Sequence, residues 1–179
     1  MDGETSLLTK TKGGTPGYMN QAQTKGKYGT ANDVYPLGVI ISEMLTGLNS
    51  LLTADECVRA LQLADQDAAT WPAGRHSGSY MDDGDEAKIY LWMEYGMRVP
   101  LATVIQFILR KHQHVPKALW HPAWFTGQDT AEIAAAESAG EVLHAQVCLC
   151  FDIKELGRSK LPAVLGAMRP AVVAALKHG

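Results

Sequence analysis

The most regular hydrophobic pattern in the chain follows Thr30-Ala-Asn-Asp33. There Val34, Leu37, Ile41, Met44, Leu45 and Leu48 recur at spacings of three and four. Such spacings put them on one stripe of a helix, and Val39 and Ile40 widen it until more than one side must be buried. Thr30 reads as the N-cap, with Asp33 as the acidic partner three residues on, and Gly47 as the stop. Pro36 then falls beyond the first turn, where it removes a hydrogen bond and bends the helix. Further helices are predicted over Ala54–Ala69, roughly Glu86–Met97, Leu101–Lys111, Asp129–Phe151 and Leu161–Leu176. The long one opens on Asp129-Thr-Ala-Glu132, and the last has Pro162 near its first turn and Pro170 inside it.

Polar and turn-forming segments separate these helices. Residues 1–29 are rich in Gly, Thr, Lys and Gln and read as a loop. Trp71–Ser79 is a loop by its Pro, Gly and Ser content, and Asp82–Glu86 is an acidic loop or helix entry. Val115–Gly127 holds Pro116, Pro122, Trp120, Trp124 and Phe125 and reads as an irregular segment pinned by aromatics. No stretch alternates with period two for long and no internal repeat is present, so the fold class is mainly α.

Composition narrows the function classes. With 46% hydrophobic residues in 179, the chain has enough apolar material for one packed domain rather than disorder. A net charge of -3 argues against a nucleic-acid partner, which calls for a basic surplus on one face. No window reaches the run of about 18 apolar residues that a membrane span needs, and the polar start after Met1 is no secretory signal. Cys57, Cys148 and Cys150 are too few and too irregular for a disulfide framework, so a reducing, intracellular and cytoplasmic setting is expected.

Two stretches carry a resemblance. The first is Gly14-Thr-Pro-Gly-Tyr-Met19, followed by Tyr28-Gly-Thr-Ala-Asn-Asp-Val-Tyr35 and Leu37-Gly-Val-Ile-Ile-Ser-Glu-Met-Leu-Thr-Gly47. The second and looser one is Val147-Cys-Leu-Cys150, Arg158-Ser-Lys-Leu-Pro162 and Val164-Leu165. Together they resemble the C-terminal lobe of eukaryotic-type protein kinases, of the serine/threonine or tyrosine-kinase-like group. The resemblance covers 9–48 well, 141–166 loosely and 49–140 hardly at all.

It implies a partial C-lobe without an N-lobe: an activation-segment-like loop over 1–29, a central helix over 30–48, a divergent helical insertion over 49–140 and closing helices over 141–179. Gly14, Thr15, Pro16, Gly17 and Tyr18 would form the substrate loop, with Thr15 reaching the catalytic carboxylate and lysine. Glycines suit a loop of close approach and unusual backbone angles. Asp33 would accept backbone N–H groups at the helix start and brace the catalytic loop, Gly38 would allow close helix packing, and Thr9 or Thr11 would be phosphate acceptors. The substrate loop is expected to lie against the beginning of the central helix.

The departures bear on activity. Phosphoryl transfer in that family needs a glycine-rich cover, a lysine on the phosphates, a catalytic Asp and metal-binding Asn and Asp. No Gly-x-Gly-x-x-Gly, Val-Ala-x-Lys, His-Arg-Asp or Asp-Phe-Gly occurs here. Neither of the family's cofactors, ATP and magnesium, is therefore expected on this chain, and a protein or peptide partner is. Asn20-Gln21-Ala22 stands where the family has Ala-Pro-Glu, so Arg158, which would pair with that Glu, is expected to be exposed or to turn to Glu155 or Asp152. The alternatives are a pseudokinase-like interaction module and an unrelated α-helical protein.

Other clusters read as structural. His112, His114 and His121, or His144 with Cys148, suggest a metal at first sight. Zinc takes four ligands at tetrahedral reach, whereas Cys148 and Cys150 point in differing directions on a helix. Asp82, Asp83, Asp85 and Glu86 lack the bidentate glutamate that closes a calcium loop, and Gly26-Lys27 lacks the glycine and hydroxyl neighbours of a phosphate loop.

Overall fold

A computed structural model describes residues 7–8, 14–20, 27–28, 33–64, 85–151 and 166. Thr9, Thr11, Thr30, Ala22, Arg158, the loop over 71–79 and all but one residue of the closing helix lie outside the described residues. The described elements are β1 (Leu7–Leu8), β2 (Lys27–Tyr28), α1 (Val34–Thr46), β3 (Leu51–Leu52), α2 (Ala54–Ala64), α3 (Asp85–Glu94), β4 (Val99–Pro100), α4 (Leu101–His112) and α5 (Thr130–Cys150). Two short 3-10 turns, Lys117–Leu119 and Pro122–Phe125, lie between α4 and α5. The fold is mainly α. The described strands form two antiparallel pairs, β1 with β2 and β3 with β4, each strand two residues long and too short to leave a periodic trace.

The helix borders follow local chemistry. Asp129 caps α5 as its sequence predicts, its Oδ1 accepting from the Ala131 and Glu132 amides at 2.8 and 2.9 Å. A capping box opens α2. The Glu56 amide donates to the Thr53 hydroxyl, and the Thr53 amide donates back to the Glu56 carboxylate. These bonds hold the Glu56 carboxyl below its usual range. Gly47 ends α1 with a left-handed φ of 71°, its N–H on the Glu43 carbonyl at 2.8 Å. The helix predicted to reach Met97 stops earlier. Gly96 turns left-handed, while the Gly96 and Met97 amides bond back to Met93 and Trp92, closing a Schellman end.

Pro36 costs less than its sequence position suggests. The helix begins at Val34, so Pro36 lies in the first turn, where the missing N–H has no intrahelical partner to lose. Asp33 also departs from expectation. It occupies the N-cap position, yet its backbone is already helical (φ -77°, ψ -20°) and its exposed side chain makes no cap hydrogen bond. Capping carboxylates reach the second and third amides from an extended backbone, which Asp33 lacks.

One buried cluster draws on α1 to α5 together. α4 lies at its centre, touching α1, α2 and α3 and burying Leu101–Ile105, Ile108 and Leu109. α5 packs along α1, and Gly38 makes their approach close: a Cβ there would lie 2.8 Å from Cys150 Cβ and 3.0 Å from the ring of Phe151. Phe151, fully buried, also meets Tyr35 edge to face at 5.6 Å. The expected enclosure of α1 is therefore partial. Val34, Gly38, Ile41, Ser42 and Leu45 face inward, while Ile40 and Met44, one turn apart, stand 45% and 48% exposed. No helix among the described residues is long and apolar enough to cross a membrane.

Candidate functional site

Residues 15–18 form a tight turn in which the Tyr18 amide donates to the Thr15 carbonyl at 3.1 Å. Pro16 presets the second position, and Gly17 at φ 90° supplies the positive angle that the type II form needs at the third. Gly17 also presses on the chain after α1, where a Cβ would meet the Ser50 Cβ at 3.1 Å and Leu51 at 3.2 Å. Gly14, Thr15 and Pro16 are exposed, whereas Gly17, Tyr18 and Met19 are half-buried.

Tyr18 fastens this turn. Its hydroxyl donates to Glu43 Oε2 at 2.7 Å, while Glu43 Oε1 accepts the Ser50 amide at 2.7 Å. One carboxylate in the last turn of α1 thus holds both the loop and the segment leaving the helix. Its hydrogen bond and negative charge raise the Tyr18 phenol above its ordinary value, with Ser50 acting in the opposite sense. The expected neighbourhood needs correction: the turn lies at the end of α1, on Glu43 and Ser50, rather than at its beginning near Asp33. Spacing from the helix start carries no information about Glu43, whose role depends on chain reversal between the two segments. The site therefore joins Thr15, Pro16, Gly17 and Tyr18 to Glu43 and Ser50 and leaves Asp33 out.

The same end of α1 is closed from another direction. The His121 amide donates to the Leu45 carbonyl at 2.8 Å, and the Trp124 indole donates to it at 3.0 Å. His121 lies so close to Gly47 that a Cβ would come within 2.4 Å of its ring. Carbonyls freed at the helix terminus thus find donors in the aromatic segment between α4 and α5.

The clustered side chains on α5 can be read chemically. Cys148 Sγ lies 3.6 Å from His144 Nε2, and Glu141 Oε2 lies 3.9 Å from His144 Nδ1. The order carboxylate, imidazole, thiol is that of a nucleophile with its base. Two facts disarm it: His144 Nε2 already accepts the Val115 amide, and burial raises the Cys148 thiol away from its reactive anion. Burial likewise pushes Cys150 up to about 11 and Cys57 to about 12. Among the described residues no group of three or more His, Cys, Asp or Glu is placed to hold a metal ion.

No protein-family model, no curated protein and no solved structure matches the chain.

Proposed function

We propose that this chain is a C-lobe-like member of the protein-kinase family, a family whose activity is ATP-dependent phosphorylation of protein serine and threonine. In this reading it presents a peptide-docking loop and carries out no phosphoryl transfer by itself. The observation that supports the reading most is the Tyr18–Glu43 hydrogen bond. It ties the Gly14–Tyr18 turn, which resembles the family's substrate loop, to the helix that resembles its central one. Gly38, where the resemblance expects close packing, adds to it by its fit against Cys150 and Phe151.

Catalysis is left out because phosphoryl transfer rests almost wholly on positioning and charge stabilisation. The residues that supply them in the family have no counterpart motif in these 179 residues. The alternative, an unrelated α-helical protein, draws on Asp33, which is exposed and makes no cap hydrogen bond.

Two titrations test the reading. Magnesium-ATP titrated into the protein in a calorimeter should give no saturable heat, and a clear binding isotherm would overturn the non-catalytic half. A serine- and threonine-containing peptide library should yield binders whose affinity drops at least about tenfold, or 1.4 kcal/mol, in Tyr18→Ala. Binding indifferent to Tyr18, or no binders at all, would remove the docking half.

A further inference from the structure

The Val115 peptide is gripped on both sides. Its N–H donates to His144 Nε2 at 3.1 Å, its carbonyl accepts the Trp120 indole N–H at 3.2 Å, and its side chain is buried. Trp120 lies against the His144 ring, their centroids 5.7 Å apart, and fills the space above Gly140. From this clamp the chain runs as a strap to His121 and Trp124, which close the end of α1.

We propose that His144 is an acid-released latch, which as neutral imidazole holds the strap to α5 through the Val115 N–H and on protonation lets it go. The chemistry is a change of role at one atom. Nε2 accepts only while it lacks a proton; in the imidazolium it becomes a donor and faces another donor.

The surrounding charges come from three segments. On α5, Glu141 favours the imidazolium, and the Cys148 thiol sits beside Nε2. From the loop and the first 3-10 turn, His114 and Lys117 disfavour it. Lys117 also binds Glu141 at 2.8 Å, so that carboxylate is shared. Burial is the largest influence and holds His144 below its ordinary value.

A histidine depressed in the folded state is fully neutral, and the latch fully shut, above its unfolded value of about 6.5. The hold weakens as the pH falls through that value toward the folded one. Release would uncap Leu45 in the turn that carries Glu43, so acid loosens the seat of Tyr18 as well.

Amide exchange of Val115, followed by NMR in the full chain, tests the latch. Its protection factor should fall with acidification from pH 7.5 to 5, by up to about tenfold per pH unit below 6.5. In His144→Gln, whose amide oxygen accepts but does not titrate, the protection should be independent of pH. A flat profile in the natural chain, or the same fall in His144→Gln, overturns the proposal. If that variant does not fold, the His144 ring resonance decides. A ring titrating below 6.5, at the pH where the loss of Val115 protection levels off, supports the latch, and a ring titrating at or above 6.5 overturns it.

Discussion

Glu43 does two jobs with one carboxylate, and the one directed at Tyr18 leaves a signature in pH. Because the phenol is raised in the fold, the bond's contribution to stability is whole below about pH 10. It is lost as the pH climbs above that value through the folded one. Tyrosinate absorbance should therefore show one phenol titrating later than ordinary tyrosines, and Glu43→Gln should return it to their range. A Tyr18 that titrates with the others would show that the turn does not sit on α1 in solution. Only one of the two partners was visible in the sequence. Tyr18 stood out as part of a Gly-Thr-Pro-Gly-Tyr run, but nothing local pointed to Glu43, because a contact across 25 residues leaves no local pattern.

Elements whose signals are local were the legible ones. The opening of α5 could be read because the cap at Asp129 and its partner Glu132 sit within one turn of each other. Asp129→Ala should cost about 1 kcal/mol, measured as a lower urea midpoint with an unchanged slope; an unaltered midpoint would show the cap to be idle. Gly47 was legible as a stop for the same reason, and Gly96 carried an equally local signal that the helix predicted as far as Met97 passed over. The face of α1 was only partly legible. Hydrophobicity marked Ile40 and Met44 as core, yet α4 and α5 cover a single continuous arc of the helix and leave those two outside it. Which arc neighbours will cover is a property of packing partners, and a single element's composition does not encode it.

At the scale of the molecule, the mainly α class followed from the helical periods, while the arrangement did not. The resemblance gave α1 the central place; the core instead gathers around α4, whose buried run Leu101–Ile105 begins where β4 ends. The strap supplies a long-range hydrogen bond, since the Trp124 indole and the Leu45 carbonyl it closes are 79 residues apart. That separation has a kinetic meaning. Closing so long a loop is entropically slow to be rewarded, so a bond of this kind belongs to the late, native side of the folding barrier. Trp124→Phe, which keeps the ring and deletes the donor, should speed unfolding while leaving the refolding arm of the chevron where it was. The helix end would then behave as a seal made last and broken first, setting how long the folded chain survives rather than how quickly it forms.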